Sequence, residues 1–347
     1  MKVGSQTIWP PLLLAPMAGL THSALRTTLL HFGGVGLLST EMLSAARLPA
    51  ESVDHSPYLF RTTKESPLSH QLMLTDEKHI APAFAALHRL GADVIDLNLG
   101  CPAPQIRRSG GGSRLMEDPA RVRRLVASAR QHTSLPLTAK IRLGETLDAA
   151  KLRDFCRMLE GEGVDMITVH ARLRGESFAR RPRWEWVANV KRWIDIPVVA
   201  NGGIDSIASA RTCLEQSGAD GLMIGRAAAR SPWIFAVLAR ALYAVDCTEP
   251  HICLPQLYQG FATALVERFS PERRLGRLKE FTHHFATNYF FGHQLAMGVQ
   301  SSRSFAEACS RASAFFAACD PCAEDNGKWW VSDAGADCNS QIPGRGI

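Results

Sequence analysis

The chain has 347 residues, 46% of them hydrophobic, and a formal net charge of +6 at pH 7. This length allows one large α/β domain with a smaller second domain, and the apolar fraction is enough for a full core. No apolar run approaches the ~20 residues that a membrane helix needs, which argues against a membrane protein. The mild positive charge permits a polyanionic partner without requiring one.

Eight short apolar or β-branched runs follow one another along the first two thirds of the chain, and helix-length segments separate most of them. The runs are Leu12–Ala15, Val35–Thr40, Ser69–Met73, Val94–Leu99, Leu137–Arg142, Met166–His170, Pro197–Asn201 and Gly221–Gly225. The predicted helices include Asp76–Leu90, Asp118–His132, Asp148–Glu162 and Ser206–Ser217, which open with good N-cap residues. Eight alternating strand and helix units predict the α/β class and a (β/α)8 TIM barrel. A doubly wound open sheet is the alternative, although it would not naturally use eight units of this spacing.

The pattern changes near residue 246, where helical periodicity replaces the strand and helix alternation. Predicted helices cover Leu254–Phe269, Glu272–Tyr289 and Ser304–Ala318. We therefore predict a catalytic barrel domain over residues 1–245, a small C-terminal helical domain over 246–320 and a disordered tail over 321–347.

Strand residues alternate between two faces, so polar residues two apart share a face. The polar set predicted to face the barrel interior is Asp96, Asn98, Thr138, Lys140, Arg142, Thr168 and His170. Lys140, His170, Asn201 and Gly225 fall near the carboxyl ends of predicted strands, where barrels of this kind carry their active sites.

One cysteine, Cys101, occupies a turn between Gly100 and Pro102 directly after the fourth predicted strand. A glycine-rich loop, Ser109–Ser113, follows it. This combination predicts a thiol held over a bound planar group. Cysteine thiols ordinarily titrate above neutral pH, so a proton-donor role fits well, whereas a nucleophile would need a neighbouring base that is not evident. A small buried hydrophobe is the ordinary alternative for such a residue.

Two glycine-containing turns end the seventh and eighth predicted strands, at Gly202-Gly203 and at Gly225. Backbone N–H groups can approach a phosphate closely there, and the guanidinium of Arg226 can donate charge-assisted hydrogen bonds to the phosphate oxygens. Lys140 beside the pyrimidine edge of a flavin would favour the reduced, anionic ring. A strand lysine is more often a solvated side chain, but in this combination the residues predict a flavin site.

An ordered set of motifs resembles the bacterial, FMN-dependent tRNA-dihydrouridine synthase family across roughly the first 235 residues. The motifs are PMAG (Pro16–Gly19), NLGCP (Asn98–Pro102), SGGGSRLM (Ser109–Met116), KIRLG (Lys140–Gly144), VHAR (Val169–Arg172), ANGGI (Ala200–Ile204) and MIGRA (Met223–Ala227). The helical region fits the tRNA-binding domain of that family more loosely. The chain departs from the family pattern at His22, where an acidic residue is usual, at Arg107, where Asn is common, and at Leu173, where Thr is more usual.

The resemblance implies reduction of specific tRNA uridines to 5,6-dihydrouridine, with FMN as cofactor and NADPH, or else NADH, as reductant. The hydride would go from reduced FMN to C6 and a proton from Cys101 to C5. The resemblance implies that Asn98 contacts the uracil, and we also predict substrate contacts at Arg142 and Arg172. The implied FMN contacts are Pro16, Met17, Ala18, Gln71, Lys140, His170, Asn201, Gly202, Gly203, Gly225 and Arg226.

Three clusters of basic residues flank the predicted active-site face, a pattern that favours RNA as the partner. They are Arg107, Arg108, Arg114, Arg121, Arg123 and Arg124; then Arg172, Arg174, Arg180, Arg181 and Arg183; then Arg273, Arg274, Arg277 and Lys279. We expect a monomer that binds tRNA and associates with no membrane. Two alternatives stay open: an FMN barrel oxidoreductase acting on free pyrimidines, and a non-catalytic RNA-binding flavoprotein.

The nine cysteines are scattered along the chain, which is typical of reduced thiols in a cytosolic protein. The N-terminal segment has no apolar stretch of signal-peptide length, so we expect a cytoplasmic location. Cys319 and Cys322 have a metal-like spacing, but no second Cys/His pair stands nearby, so no metal site is predicted.

Overall fold

A computed structural model describes residues 1–52, 56–246 and 252–319. Its strands are β1 (Lys2–Val3), β2 (Gln6–Thr7), β3 (Leu12–Leu14), β4 (Leu38–Ser39), β5 (Leu43–Ser44), β6 (Leu68–Met73), β7 (Val94–Asn98), β8 (Leu137–Arg142), β9 (Met166–His170), β10 (Val198–Asn201) and β11 (Gly221–Ile224). The predicted tail over 321–347, and Cys322 with it, lie outside the described residues.

Eight parallel strands close into a barrel in the order β3-β11-β10-β9-β8-β7-β6-β4. A parallel bridge between Leu13 and Leu37, beside β4, joins the two ends of this order. The short strand β5 also pairs with β6, and β1 and β2 form a separate antiparallel hairpin. The predicted (β/α)8 barrel is therefore confirmed, with one barrel strand inside or overlapping each predicted run. The closure rules out the open-sheet alternative.

Helices surround the barrel and then continue beyond it. They are α1 (Ser23–Phe32), α2 (Ile80–Arg89), α3 (Pro104–Arg108), α4 (Pro119–Gln131), α5 (Ala149–Gly161), α6 (Trp184–Trp193), α7 (Ile207–Ser217), α8 (Arg226–Arg230), α9 (Ile234–Tyr243), α10 (Leu254–Arg268), α11 (Pro271–Phe285), α12 (Gly292–Gln300) and α13 (Phe305–Ala318). The side chains of Asp118, Asp148 and Ser206 cap the helices α4, α5 and α7, as their positions in the sequence predicted.

The barrel interior has two layers of different character. The lower layer is apolar and includes Leu13, Val94 and Met166, and Val3 of β1 and Ile8, directly after β2, pack into the same cluster. The next inward positions along β7 and β9 are polar, namely Asp96 and Thr168. Because alternation keeps both layers on the interior face, the chemistry of this protein is concentrated at the carboxyl ends of the strands.

The C-terminal helices pack around an aromatic core. The rings of Phe261 and Phe281 stack with centroids 3.8 Å apart, and the hydroxyls of Tyr258 and Thr282 share a hydrogen bond of 2.6 Å. Helix α10 packs against α1, and α11 packs against α8. The helical region thus adjoins the barrel on the side of β3 and β11. The exact boundary at residues 245 and 246 stays a prediction.

Five of the described cysteines, namely Cys101, Cys156, Cys213, Cys309 and Cys319, are free. Cys253 is disulfide-bonded, so the prediction of reduced thiols throughout is wrong at this residue. Scattered spacing along a chain carries no information about which thiols meet in space. In the three described ranges, no helix is both long and apolar enough to cross a bilayer. The same ranges hold no group of three or more His, Cys, Asp or Glu side chains arranged for a metal ion.

Candidate active site

Polar side chains fill the barrel interior from the middle of the strands to their carboxyl ends. The fully buried members of this layer are Gln71, Asp96, Asn98, Thr138, Thr168, His170 and Asn201, and Lys140 beside them is half-buried. Polar groups removed from water need hydrogen-bond partners. The partners they have in the structure define the geometry of the site.

A chain of hydrogen bonds crosses the barrel from β8 to the cysteine turn. Thr138 Oγ1 donates to Asp96 Oδ1, and Gln71 Nε2 donates to Asp96 Oδ2, both at 2.6 Å. Asn98 Nδ2 donates to Gln71 Oε1 at 2.7 Å. Asn98 Oδ1 then accepts the backbone N–H of Cys101 at 3.0 Å. The Asp96 carboxylate therefore fixes the orientation of both amide side chains and, through them, the turn.

The glycine-rich loop packs directly on the cysteine turn. Ser113 N donates to Cys101 O at 2.9 Å. Gly112 has a φ of +58°, and a Cβ there would lie 2.6 Å from Cys101 O, so only glycine fits. Cys101 itself is half-buried. The loop thus holds the backbone of the turn while its thiol stays accessible at the mouth of the barrel.

Lys140 Nζ donates to Asn201 Oδ1 at 2.8 Å, and Asn201 Nδ2 donates to Met223 O at 2.8 Å. Burial lowers the pKa of Lys140 to about 8, the charge of Asp96 opposes this shift, and that of Arg142 adds to it. Lys140 is therefore a positioned cation at neutral pH that loses its proton in mildly alkaline solution.

His170 is held as a neutral ring of defined tautomer. Burial lowers its pKa far below the ordinary value, and the charges of Lys140, Arg142, Arg172 and Arg226 lower it further. Arg172 Nη1 lies 3.0 Å from His170 Nε2. Because arginine can only donate, Nε2 must accept, and the ring proton resides on Nδ1.

Arg172 also organises the loop after β9. Its guanidinium donates to the backbone carbonyls of Phe178 and Arg180. The side chain is therefore engaged within the protein, and its role in substrate binding stays a prediction. Arg142 Nη1 donates in a similar way to Leu173 O at 2.9 Å.

The two glycines after β10 stand where any side chain would clash with a neighbouring residue. Gly202 has a φ of +107°, and a Cβ there would lie 2.7 Å from His170 Cδ2. Gly203 has a φ of +73°, and its Cβ would lie 2.8 Å from Pro182 Cγ. On the neighbouring strand, an added Cβ on Gly225 would lie 3.5 Å from Met17 Sδ. The predicted phosphate turns and the first loop thus meet at one edge of the mouth.

The loop of Pro16, Met17 and Ala18 is tied to both the barrel and the helical region. Ala15 N donates to Ile224 O at 2.8 Å, and Gly19 N donates to the carboxylate of Glu41 at 2.6 Å. The guanidinium of Arg277, on α11, lies 3.5 Å from the same carboxylate. The junction between barrel and helices therefore reaches the predicted flavin loop through one buried carboxylate.

His22 belongs to this junction and not to the mouth. Its ring is buried, and its centroid lies 4.8 Å from that of Phe269 and 5.9 Å from that of Phe261. Burial lowers the pKa of His22 well below its ordinary value. The departure from the family pattern at this position thus alters packing against α10.

Sequence reasoning missed two contributors to the site. It placed Asp96 on the interior face but gave it no role, although alternation with Asn98 carried that signal. It gave no role to Phe178, a loop residue whose ring stacks on His170 with centroids 5.8 Å apart and lies 4.5 Å from the Arg226 guanidinium carbon. No periodic pattern marks a single aromatic residue in a loop.

A closed (β/α)8 barrel with a buried polar layer and an accessible thiol at the carboxyl ends of its strands defines a barrel enzyme. Residues 13–294 match the family model described as "Dihydrouridine synthase (Dus)". The chain therefore belongs to the dihydrouridine synthase family and is an enzyme of this type.

Several relatives are similar to this chain over most of its length. "Probable tRNA-dihydrouridine synthase" of Rhodobacter capsulatus is 37% identical over 244 residues, which is 70% of this chain and 75% of that protein. "tRNA-dihydrouridine synthase B" of Xanthomonas axonopodis is 34% identical and covers 72% of this chain and 75% of its own length. The protein of the same name from Pseudomonas putida is 32% identical, with coverages of 87% and 83%.

Among solved structures, a 2-naphthoyl-CoA reductase complex superposes with a TM-score of 0.52. The match covers 70% of this chain and 51% of that one at 11% identity. At this identity the likeness is one of fold alone.

Proposed function

We propose that this enzyme reduces uridines in tRNA to 5,6-dihydrouridine, with FMN as the cofactor and a reduced nicotinamide dinucleotide, NADPH or NADH, as the source of electrons. Membership of the dihydrouridine synthase family and the names of the relatives support tRNA as the substrate. The observation that carries the mechanism is the half-buried Cys101 beside the half-buried cation of Lys140.

Several contacts bring these two residues to the same mouth. Asn98 and Lys140 are direct neighbours across β7 and β8, and Leu99 N donates to Lys140 O at 3.0 Å. A Cβ on Gly100 would lie 3.2 Å from the same carbonyl. The cysteine turn is therefore seated on the strand that presents the lysine.

The residues of the mouth fit FMN. The side chains of Lys140 and Asn201 would hold the ring, and the backbone of Gly202, Gly203 and Gly225 would receive the phosphate. The close approach of the Gly202 backbone to the His170 ring, which a Cβ would prevent, and the Nδ1–H of His170 support this assignment. When bound, FMN would supply the hydride for C6 of the uracil.

The protein's own part of the reaction is to hold the uracil and to donate one proton. The Cys101 thiol donates a proton to C5 as C6 gains the hydride, and solvent returns a proton to the thiolate afterwards. The amide of Asn98 is held in one orientation by Gln71, so it presents a fixed pattern of donor and acceptor to the base. The net change is one hydride and one proton added across the C5=C6 bond.

A tRNA uridine must leave its stack to reach this mouth, at a cost of a few kcal/mol, which is smaller for a loop nucleotide. Many of the basic residues predicted to bind RNA have acidic partners, such as Arg174 with Glu117 and Glu145. Arg108 and Arg181 are exposed and form no ion pair among the described residues. We assign the strongest contribution to RNA affinity to these two and expect it to fall steeply with salt.

The test is an assay of dihydrouridine formation in tRNA with FMN-loaded enzyme and NADPH. Cys101→Ala should keep FMN and bind tRNA but lose most of the turnover, because no other acid replaces the thiol. Cys319→Ala, at an exposed cysteine outside the mouth, is the matched control. Turnover of Cys101→Ala at the wild-type rate would defeat the mechanism.

Two further measurements separate this proposal from its alternatives. Faster reduction of free uracil or orotate than of tRNA would identify an oxidoreductase of free pyrimidines. Failure of NADPH and NADH to bleach the bound flavin, together with intact tRNA binding, would identify a non-catalytic flavoprotein. We expect neither result.

A further inference from the structure

A large cavity opens at the carboxyl end of β8, between the helices α4 and α5. Its volume is about 990 Å³, at the upper end of the ~300–1,000 Å³ range of small-molecule sites. Its lining comes from the segment after the glycine-rich loop, from both helices and from the loop after β8. None of the residues predicted to bind FMN lines it, whereas Arg142, a predicted substrate contact, does, so the cavity lies beside the flavin mouth and borders on it.

The cavity has an apolar floor and a lining of mixed charge, in which five basic side chains outnumber the four carboxylates of Glu117, Glu145, Asp148 and Asp154. Met116, Phe155 and Met158 line the floor, and thioether and aromatic side chains of this kind pack well against a flat ring. Arg123 and Arg124 stand on the rim. Their ion pairs with Glu162 and Glu77, at 3.5 Å and 3.1 Å, are exposed and are therefore weak enough to be exchanged for a phosphate. A flat base with an attached phosphate matches this combination.

Two residues connect the cavity to the reaction site. Arg142 lines the cavity, and its charge is among those that lower the pKa of Lys140. Ser113 also lines it and donates its backbone N–H to Cys101 O at 2.9 Å. Ser113 is only 4% exposed, and its Oγ has no hydrogen-bond partner within the described part of the chain. A buried hydroxyl without a partner is expensive and indicates a missing ligand contact.

The position of the cavity argues for a small molecule and against RNA. The C-terminal helices adjoin the barrel beside β3 and β11. Strand β8 is the fourth strand from β3 in either direction around the closed barrel, so the cavity lies diametrically opposite. RNA that approaches along the helical region would leave the β8 side of the mouth, and with it the cavity, accessible to a small molecule.

We propose that the cavity binds the adenosine-phosphate end of the reduced pyridine dinucleotide, with the base on the apolar floor and a phosphate on the Arg123 and Arg124 rim. This inference rests on the proposed function. Each uridine reduced consumes one hydride and one proton, so a hydride donor must dock within reach of the flavin mouth in every cycle. The nicotinamide end enters the mouth past Arg142, and the adenosine end stays in the cavity.

The test measures the dissociation constant of NADP⁺ for the FMN-loaded enzyme by titration calorimetry. Ala120 is exposed on α4 and lines the cavity, so Ala120→Trp fills the proposed base site without a change in the core. We expect about tenfold weaker binding of NADP⁺. Ala85→Trp, at an exposed position of α2 outside the cavity, is the matched control and should bind as the wild type does.

A second pair of variants tests the phosphate. Arg124→Glu should weaken NADP⁺ binding by about tenfold at low salt, and less at high salt because screening reduces the charge effect. Arg192→Glu, on the exposed face of α6, should have no effect. The FMN content and the melting temperature of Ala120→Trp show whether that variant folds. If it does not fold, the charge variants still test the proposal.

Dithionite separates this proposal from the proposed function. Ala120→Trp should also slow dihydrouridine formation with NADPH, and this defect should disappear when dithionite reduces the flavin. If the defect persists with dithionite, the cavity serves RNA and the proposal is overturned. Unchanged NADP⁺ affinity in both variants, or no saturable NADP⁺ binding by the wild type, overturns it as well. Formation of dihydrouridine by dithionite-reduced wild type would leave the proposed function intact in each of these cases.

Discussion

The side-chain oxygen of Asn98 accepts the backbone N–H of Cys101 at 3.0 Å, so the last residue of β7 holds the turn that carries the thiol. The other end of the same amide is fixed by Gln71, and Gln71 is fixed by the Asp96 carboxylate. The position of an accessible thiol therefore depends on a carboxylate that is only 5% exposed. A substitution in the barrel interior should therefore shift the turn that carries Cys101 at the mouth.

Replacement of Asp96 by Leu should disrupt this chain of hydrogen bonds. The variant leaves Gln71 Nε2 and Thr138 Oγ1 without their shared partner, which costs about 1–3 kcal/mol for a buried polar group left unpaired. Because Gln71 is then free to turn, Asn98 loses its orientation and dihydrouridine formation should fall. Urea unfolding measures the first effect, and turnover at saturating tRNA measures the second.

Asp96→Asn is the control for that experiment. Its oxygen can accept from Gln71 while its amino group faces the Thr138 hydroxyl, which is able to accept. Burial raises the pKa of the Asp96 carboxyl group. As the pH falls, this group therefore takes up a proton at a higher pH in the folded wild type than in the unfolded chain. The wild type should therefore gain stability relative to Asp96→Asn as the pH falls from the pKa of Asp96 in the folded protein to its pKa in the unfolded chain. Equal losses in the Leu and Asn variants would contradict the role of the carboxylate in orienting the amides.

The barrel was predictable because its signals are local and repeated. Residues 95–99 of the fourth run alternate strictly, and Asp118 and Asp148 mark helix starts, where they cap the helices α4 and α5. The hairpin of β1 and β2 was missed because its strands, Lys2–Val3 and Gln6–Thr7, are two residues long and carry no periodicity.

The site was predictable only where side chains lie on strands. Alternation brought Asn98, Lys140 and His170 to one mouth, and the structure places them at the carboxyl ends of neighbouring strands. Alternation does not reveal which polar groups form hydrogen bonds with one another. The contact of Arg277 with Glu41 joins residues more than 200 positions apart, and no local pattern encodes such a pair.

Substitution of Gly202 by Ala should weaken FMN binding more than it weakens the fold. The new Cβ would meet His170 Cδ2 at 2.7 Å and Arg172 Nη1 at 2.8 Å, so the ring must move away from the predicted phosphate turn. The positive φ adds about 1–2 kcal/mol of backbone strain. Equilibrium titration of the apoprotein with FMN, together with the melting temperature, separates the two effects.

Gly218→Ala is the matched control, since Gly218 has a φ of +58° and no atom within 4 Å of an added Cβ. It should lose stability through backbone strain alone and keep its FMN affinity. If both variants bind FMN equally well, the crowding beside Gly202 has no part in cofactor binding.

Loss of the Arg277 side chain should loosen the predicted flavin loop from a distance. Burial raises the pKa of Glu41, and Arg277 together with the Gly19 N–H opposes that shift. In Arg277→Met the carboxylate loses its cation, so Glu41 takes up a proton more readily and holds Gly19 less firmly. We expect a loss of about 1–3 kcal/mol in the free energy of unfolding and weaker FMN binding.

The control lies on the same helix. Lys279 Nζ donates to Ser302 O at 2.8 Å, within the helical region. Lys279→Met should therefore change stability slightly and leave FMN affinity unchanged. An unchanged FMN affinity in Arg277→Met would show that the junction and the flavin loop act independently.

The affinity for FMN should fall as the pH rises through about 8. Burial lowers the pKa of Lys140 to about 8, so the amine is charged at pH 7 and largely neutral at pH 9. A charged amine attracts the anionic cofactor and a neutral amine does not, so binding is strongest on the acidic side of this value. Each pH unit above it weakens binding by at most about tenfold, until the pKa of Lys140 in the complex is reached. The release of flavin fluorescence between pH 7 and 9 measures this dependence. Lys140→Met should bind FMN more weakly at pH 7 and show no such slope, and the same slope in both proteins would assign the titration to another group.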